Sequence, residues 1–541
     1  MRDLAIPAFL ATLCASTAFA TPGPDTTVVV ANANVPESVA LARTYAAARA
    51  VPDAQVCLLD VEDVEDIDLA DYEATFLEPL RACLDATPGV RARIEAALLI
   101  RGVPLRVSVP VGGGAQVVSL AAALQLWDST QMGAPLLGAE PGATIMCGSS
   151  PCYGPAWGNP YRGFPFEPGW TTDLSGVEWH PILVTMLHAR TYADAERLLD
   201  SALAAESMAP ATGEMLFMDG RDAARGALDW QADGLITDLT AAGFTATRVP
   251  FDPDLTGRTL SSFITGTATI GTTIEGNTFL PGALVDNLTS FGAVPQNFRD
   301  TGESQVSIAR WVEQGVAGVH GTVAEPLNGC FPNRRFLVEY TLGATLAEAY
   351  LSMMPNVYWR NLVLGDPMAA PYARRPVVGV DGVTDAEVLM ATARVSVTAT
   401  DPADRGIESL VAYLDGVEVA RAETGALELC LGADAGDGDR QLLFVARAAD
   451  DPMGERVWKP KGWVARRLRT SGVVECPPMV DAGAATDDAA VDADAGVGGA
   501  DAGETPPTTD GCACRAAPHS NSGLAWLALA ALVLVRRRRI V

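Results

Sequence analysis

Positive charge is scarce in this 541-residue chain. The 38 lysines and arginines face 66 aspartates and glutamates, which leaves a formal net charge of −28 and a pI near 4.5. Non-specific binding to nucleic acid depends on lysine and arginine side chains that neutralise phosphates. The sequence therefore predicts no nucleic-acid partner.

The carboxyl-terminal end lacks an apolar run long enough to cross a bilayer. Its apolar segment covers thirteen residues, 523–535, whereas a transmembrane helix needs about 20. A Cys-containing motif at 511–515 precedes the segment, and four arginines at 536–539 follow it. Such arginines favour the cytoplasmic side of a membrane. This arrangement is typical of a processing signal.

These three parts resemble the tripartite MYXO-CTERM sorting tail of myxobacterial surface proteins, here residues 511–541. The resemblance implies that a membrane protease is a partner and removes the tail near Cys512 or Cys514. A retained cysteine can then carry lipid. The resemblance also implies an exported protein that is anchored at the cell surface or outer membrane through the processed tail.

The amino-terminal end agrees with export. An apolar centre runs from Leu4 to Phe19 and ends in a small-residue motif before Thr21, which is typical of a secretory signal over residues 1–20. Leu13 precedes Cys14, whereas a lipoprotein box needs a small residue there. We expect cleavage rather than lipidation at this end, and a retained N-terminal anchor is the alternative.

Seven cysteines remain between the two terminal segments, in a compartment that permits disulfides. We expect three bonds: Cys57 with Cys83, Cys147 with Cys152, and Cys430 with Cys476. This pairing leaves Cys330 as a free thiol, although one wrong pair would move the odd cysteine elsewhere.

Apolar strands alternate with helices over most of the chain, which predicts an α/β fold with mostly parallel, Rossmann-like sheets. A strand–helix–strand unit at 27–60 opens a first α/β subdomain, 21–133. A Gly-, Pro- and aromatic-rich loop is expected at 134–179. A second α/β subdomain, 180–375, includes predicted strands at 268–272, 283–285 and 317–320.

The pattern changes to period two after residue 376. Alternating segments and an Asp415-Gly416 turn predict hairpins, and short strands over about a hundred residues are typical of an Ig-like β-sandwich, 376–476. Residues 477–510 are rich in Ala, Asp, Gly, Thr and Pro and predict a disordered acidic linker.

Four segments carry a family resemblance: 98–106, 281–292, 318–326 and 361–367. Through them residues 27–373 resemble an uncharacterised family of exported bacterial proteins found mainly in bacteria that carry exosortase. The resemblance implies no known activity. The association makes envelope polysaccharide or a sorted surface protein a candidate partner.

The architecture also resembles, more distantly, gingipain-type cysteine peptidases, which implies caspase-like α/β subdomains. Such enzymes need a His and a Cys at the ends of neighbouring strands. The predicted strand ends after residues 272 and 285 carry neither residue in that arrangement, and the second leads to Asp286 and Ser290. The expected catalytic pair is therefore missing from its expected place.

A displaced catalytic site has two candidate forms. His320 and Cys330 follow one strand, and an imidazole beside the thiol would make it nucleophilic. Ser290 with Asp286 is a serine-based variant. Each residue also has an ordinary structural interpretation, in which His320 satisfies hydrogen bonds, Cys330 forms a loop disulfide, and Asp286 and Ser290 cap helices or turns.

Other candidate sites are weaker. His180 and His188 flank a strand but lack further metal-ligating neighbours, so we expect no metal. Arg101 and Arg106, with Glu325, could bind an acidic sugar or carboxylate; alternatively, Arg101 pairs with an internal carboxylate such as Asp60 or Asp366. Gly112–Gly114 lacks a phosphate-loop pattern, and no cofactor is indicated.

The sequence thus favours an exported, surface-anchored protein of the cell envelope that has a binding or structural role and no catalytic activity. The alternative is a cysteine or serine hydrolase of gingipain-like fold. Of the two hypotheses we favour the one without enzymatic activity. The hydrolase hypothesis requires a displaced catalytic site, either His320 with Cys330 or Ser290 with Asp286.

Overall fold

The structure is a computed structural model, and it describes residues 22–111, 114–127, 145–147, 150–153, 157–159, 182–208, 213–299, 302–389, 393–431, 438–449 and 458–470. The segments predicted as signal peptide, acidic linker and sorting tail lie outside these residues, as do His180, Cys476, Cys512 and Cys514. Among the residues described, no helix combines the length and apolarity that crossing a membrane requires.

The helices are mostly short. They are α1 (Pro36–Arg49), α2 (Leu69–Asp71), which continues through a π-helical turn (Tyr72–Leu77) into α3 (Glu78–Asp85), α4 (Leu120–Leu124), α5 (Tyr192–Ser207), α6 (Ala232–Ala241), α7 (Ile308–Glu313), α8 (Phe336–Thr341) and α9 (Leu346–Ser352). Single 3₁₀ turns lie at Asp53–Gln55, Arg91–Arg93, Asp229–Gln231, Pro295–Phe298 and Asn328–Cys330.

The strands up to residue 365 are β1 (Thr27–Asn32), β2 (Val56–Leu59), β3 (Asp66–Asp68), β4 (Ala96–Ile100), β5 (Arg106–Val111), β6 (Gly114–Ser119), β7 (Ile145–Cys147), β8 (Ser150–Tyr153), β9 (Trp157–Gly158), β10 (Leu183–Leu187), β11 (Glu214–Met218), β12 (Thr245–Val249), β13 (Thr259–Thr265), β14 (Thr278–Asn287), β15 (Gly318–Thr322), β16 (Asn356–Val357) and β17 (Asn361–Gly365). The strands that follow are β18 (Val377–Asp381), β19 (Glu387–Leu389), β20 (Ala393–Thr400), β21 (Ile407–Leu414), β22 (Val417–Ala422), β23 (Ala426–Leu431), β24 (Gly438–Ala448) and β25 (Lys461–Thr470).

One ten-stranded sheet joins the two predicted α/β regions, in the order β12-β11-β13-β14-β15-β17-β10-β4-β1-β2. The strands β11 to β15 in this sheet pair in parallel, and so do β17, β10, β4, β1 and β2. The two groups meet at β15 and β17, which are antiparallel. The α/β class with a mostly parallel sheet is confirmed, and the two parallel halves run in opposite directions.

The local sequence explains the first unit. All six residues of β1 are buried, as expected for a central parallel strand covered on both faces. Pro36 occupies the first turn of α1, where its missing N–H costs nothing. The expected strand–helix–strand order from 27 to 60 is confirmed.

The prediction of a strand at 268–272 is wrong. The structure places the strand earlier, at β13, and residues 268–272 are irregular. The sequence of β13 is rich in Thr and Ser, so the burial of this strand between β11 and β14 is hard to recognise from hydropathy. The end of β13 is Thr265, so this strand end also carries no histidine.

Within the segment 134–179, which is predicted as a loop, the described residues form three short strands. β7 and β8 pair as a hairpin, and β9 pairs with β16. The remaining residues of this segment lie outside the described part.

The carboxyl-terminal strands form what we call the two-sheet module, residues 377–470. A three-stranded sheet, β18-β20-β23, and a five-stranded sheet, β19-β25-β24-β21-β22, share one apolar core. Buried and exposed residues alternate along β20, as its period-two pattern predicts. Asp415 and Gly416 have φ of 49° and 83°, which confirms the predicted turn with two positive φ values.

The cysteine predictions are partly confirmed. Cys57 and Cys83 form a disulfide, and Cys330 is free and buried. Cys430 is also disulfide-bonded. Its expected partner, and the side chains of Cys147 and Cys152, lie outside the described part, so those pairs stay predictions.

Candidate functional site

His320 lies at the centre of a buried polar cluster. Its Nδ1 is 2.8 Å from Asp286 Oδ1, and its Nε2 is 3.0 Å from Asn361 Oδ1. His320 and Asp286 are fully buried, and Asn361 is 7% exposed. The geometry resembles the Asp–His part of a catalytic triad, but an asparagine takes the place of a nucleophile.

Strand pairing brings these three residues together. Asp286 on β14 lies beside His320 on β15 in the parallel register, and His320 faces Val363 on the antiparallel β17. Asn361 precedes Val363 by two residues, so it lies on the same face of the sheet. The ring of Phe331 packs edge-on against the imidazole at 5.2 Å.

Cys330 is not activated by this histidine. Among the described residues no hydrogen bond joins the two side chains, since both ring nitrogens of His320 contact Asp286 and Asn361. The thiol packs with Trp359 and Leu327, and burial raises its pKa to about 12. A thiol with so high a pKa is almost entirely protonated at neutral pH and is a poor nucleophile.

The serine-based variant is also incomplete in this geometry. Asp286 contacts His320, but the hydrogen bond described for Ser290 uses its backbone carbonyl, which accepts from Thr322 at 2.8 Å. Glu325 likewise accepts through its carbonyl, from the Arg360 guanidinium. The structure therefore brings Asp286 and His320 together, and among the described residues no serine or cysteine side chain is hydrogen-bonded to the imidazole.

Two residues near this cluster have strained backbones. Leu327 has φ of 70° and ψ of 145°, and Tyr358 has φ of 51°. Such conformations cost about 1–3 kcal/mol each and persist only where the surrounding structure imposes them. The segments before Cys330 and before Asn361 are thus held firmly, which fits a fixed, closed cluster.

Arg101 and Arg106 are engaged internally. The Arg101 guanidinium donates to the carbonyl of Ala189 and lies 5.2 Å from the Tyr192 ring centroid. Arg106 donates to Asp66 at 2.6 Å and to the carbonyl of Val323 at 3.3 Å. Neither guanidinium is left over as an obvious ligand-binding group.

The pairing of Arg101 with Asp60 or Asp366 is not formed. Asp60 accepts from Asn34 at 2.7 Å, and Asp366 accepts from Arg49 Nε at 2.6 Å and Tyr45 at 2.7 Å. Asp366 is fully buried at the end of β17, where it ties α1 to the sheet. This contact gives the segment 361–367 a structural role.

His188 is buried against Phe298, at 4.4 Å between ring centroids. Burial, with a smaller contribution from the Arg101 charge, lowers its pKa to about 3. Within the described part of the chain, no group of three His, Cys, Asp or Glu residues is placed to hold a metal ion.

A cleft that the sequence did not indicate lies in the described part of the chain. It has a volume of about 940 Å³ and lies between α1 and the two-sheet module. Four arginines and three aspartates line it, together with small and apolar residues: Arg43, Arg440, Arg467, Arg469, Asp53, Asp415 and Asp439. The lining thus carries one more positive than negative charge, in a chain whose net charge is −28.

The arginines of the cleft are unequally paired. Arg43 contacts Asp53 and Arg440 contacts Asp415, each at 2.9 Å, whereas Arg469 is 3.9 Å from Asp439. Arg440 also has a buried Nε with no hydrogen-bond partner among the described residues. For Arg467 the described contacts involve its backbone, whose N–H donates to Asp385. The Arg440 Nε is closed to a ligand by its burial, so Arg467 and Arg469 are the arginines whose guanidinium donors are open to an anion in the cleft.

Sequence reasoning missed this cleft because its arginines come from three separate segments. Arg43 lies on α1, Arg440 on β24, and Arg467 with Arg469 on β25. Only the packing of the module against α1 brings them together. The one local indication is the Arg466–Arg469 segment, which resembles an ordinary solvated strand.

No family model and no curated protein matches the chain. Among solved structures, it is similar to the fibronectin(III)-like modules of Clostridium thermocellum CbhA, at 15% identity over 18% of this chain and 47% of that one, with a TM-score of 0.15. An endo-beta-1,4-mannanase from Thermotoga petrophila is 9% identical over 48% of this chain, with a TM-score of 0.14. A beta-glucosidase from Listeria innocua in complex with glucose is 10% identical over 50% of this chain, with a TM-score of 0.16. The chain spans 47% of each of these three proteins, and TM-scores this low carry no argument about its activity.

Proposed function

We propose that the protein is an exported, surface-anchored envelope protein that binds an acidic saccharide in the arginine-lined cleft and performs no catalysis. The observation that supports this proposal is the cleft itself, with its excess of arginine and the loosely paired side chains of Arg467 and Arg469. Clefts between packed units are common places for ligands, and a few convergent polar groups give them specificity.

Guanidinium groups favour carboxylates because their planar donors match both oxygens. The overall charge of −28 opposes a densely charged polymer. A saccharide with separated carboxylates fits the small local excess of positive charge better. Val388 and Leu468 in the lining offer apolar contact for sugar faces.

The non-catalytic assignment is supported by the His320 cluster. Both imidazole nitrogens contact Asp286 and Asn361, and the Cys330 thiol is buried with a raised pKa. The caspase-like and Ig-like character of the two regions, the export and the anchoring belong to the same proposal. They are supported by the opposed parallel halves of the sheet, the two packed sheets of the module and the terminal sequence motifs.

Calorimetric titration tests the binding. We expect an oligogalacturonate hexamer to bind and a neutral glucan hexamer not to bind, with affinity falling as salt rises. Arg467→Ala and Arg469→Ala should each weaken oligogalacturonate binding about tenfold, since a charged hydrogen bond contributes about 1.5–3 kcal/mol.

Arg421→Ala is the matched control, because Arg421 is an exposed arginine of the same module that pairs with Glu418 outside the cleft. It should bind as the wild type does. Absence of binding, or equal losses in Arg421→Ala and Arg467→Ala, would overturn the proposal.

A further inference from the structure

The chain has two lysines, Lys459 and Lys461, against 36 arginines. Lys461 is buried, 4% exposed, although arginine is usually preferred for a buried pair with carboxylates. An amine can do what a guanidinium cannot, because a desolvated lysine that loses its proton becomes a nucleophile. Lys459 is buried as well, 8% exposed, and lies 3.3 Å from Glu408, so burial alone does not set Lys461 apart. The contacts of Lys461 do.

Lys461 begins β25 of the module and reaches into the start of the α/β region. Its Nζ is 3.0 Å from Glu95 Oε2, 3.1 Å from Thr26 Oγ1 and 3.5 Å from Asp25 Oδ1. The contact with Oδ1 brings the amine beside the carboxyl group of Asp25. Two carboxylates thus flank one amine inside a closed site.

Asp25 is arranged as an electrophile. It is 5% exposed, and its Oδ1, the oxygen nearest the amine, has no hydrogen-bond partner among the described residues. Its Oδ2 accepts from the hydroxyl of Tyr413 at 3.3 Å. That hydroxyl stays protonated, because burial raises the pKa of Tyr413. It can therefore stabilise negative charge on Oδ2 when the carbon is attacked.

Glu95 is arranged to transfer protons. Burial raises the pKa of its carboxyl, while the positive charge of Lys461 partly opposes the rise. A carboxyl of raised pKa beside an amine can take up a proton and return it. Gly23 leaves the necessary room, since a Cβ there would lie 2.8 Å from both Asp25 Oδ1 and the Lys461 side chain.

We propose that Lys461 and Asp25 form an intramolecular amide bond, with Glu95 as the catalytic proton carrier. Lys461 loses one proton to Glu95, which passes it to Oδ1 of Asp25, and the resulting amine attacks Cγ of Asp25. Glu95 then takes a second proton from the nitrogen and passes it to Oδ1, which leaves as water. One N–C bond forms, one C–O bond breaks, and the ammonium and carboxylate become an amide and water. Glu95 ends as it began, and no oxidant or cofactor is required.

The surroundings favour the product. A buried ion pair carries a desolvation penalty of several kcal/mol per ion, and the amide removes both charges. The new N–H can donate to Glu95 or Thr26, and the remaining carbonyl oxygen can accept from Tyr413 as Oδ2 does now. The N–H and the carbonyl of the new amide therefore both have partners.

Peptide mapping of the full-length protein tests the bond directly. After unfolding and trypsin digestion, we expect a branched peptide in which residues 457–466 are joined to the peptide that ends at Arg43, with the mass of the two lowered by one water. Cleavage after Lys461 should be absent, because its amine is acylated. An amine reagent should label Lys459 but not Lys461 in the unfolded chain.

Three variants define the chemistry. Lys459→Arg is the matched control and should keep the branched peptide. Lys461→Arg keeps the positive charge and should lose the branch, and Glu95→Gln should lower its yield at least tenfold. A linear, labelled Lys461 peptide in the wild-type protein, or a branch that joins Lys461 to Glu95, would overturn the proposal.

Discussion

At the scale of single residues, burial decides which groups can react. Cys330 is ten residues from His320 in the sequence, and the neighbouring Phe331 packs against the His320 ring, yet burial raises the pKa of the thiol and both imidazole nitrogens contact other side chains. Sequence spacing could place these residues near one another. Sequence spacing could not show that Asn361, on β17, contacts the Nε2 atom of His320.

Cys330 should therefore behave as a protected thiol. In the native protein we expect iodoacetamide labelling to be slow at neutral pH and to increase only toward about pH 12, because the reaction needs the thiolate. In the unfolded chain, Cys330 should label at the rate of an ordinary thiol. Fast labelling of the native protein near neutral pH that disappears in His320→Ala would instead favour the hydrolase hypothesis.

At the scale of elements, the hairpin between β21 and β22 is the clearest agreement between sequence and structure. The Asp-Gly pair predicts a tight turn, and both residues have positive φ. The sequence did not indicate where the turn packs. The Arg93 guanidinium donates to the Gly416 carbonyl, and the Arg93 Nε donates to the Asp25 carbonyl at 2.8 Å. The hairpin thus forms part of the contact between the module and the α/β region.

Substitution at Gly416 should reveal this contact. A Cβ at Gly416 would be strained at φ of 83° and would lie 3.1 Å from the Ala54 Cβ. We expect Gly416→Ala to lower the free energy of unfolding by about 1–2 kcal/mol or more. Chemical denaturation measures the change.

Gly257 provides the control, because its φ is 79° and a Cβ there would meet no described atom within 4 Å. Gly257→Ala should cost only the backbone strain. Equal losses in the two variants would mean that the hairpin contact contributes nothing to stability.

At the scale of the whole molecule, the α/β class and the change to period two at residue 376 could be predicted from the sequence. The single ten-stranded sheet could not, because strand order is set by packing between segments far apart in the chain. β13 was missed because its threonines and serines hide a buried strand. The cleft and the Lys461 site depend on how the module packs, which no local pattern encodes.

The stability of the whole molecule should fall in acid partly through His188. The pKa of His188 is about 3 in the folded state, whereas the pKa of a histidine in an unfolded chain is about 6.5. Between these values the unfolded chain binds one proton more, so the free energy of unfolding falls as pH decreases, by about 1.4 kcal/mol per pH unit.

Denaturation of the wild type and His188→Gln over pH 7.5 to 4 measures this effect. The variant should lose less stability than the wild type below about pH 6.5. Parallel curves would show that His188 is protonated in the folded state as readily as in the unfolded chain. Because both proteins share all other titrating groups, the carboxylates cancel in the comparison.

The last strand of the module has a mechanical consequence. β25 pairs with β24 over ten residues from Lys461 to Thr470, and it also pairs with β19. A pull applied at the carboxyl-terminal side of Thr470 acts along this strand, so its hydrogen bonds are loaded together in shear rather than opened one by one. Lys461 lies at the far end of the loaded strand, where the force passes from the module to the α/β region.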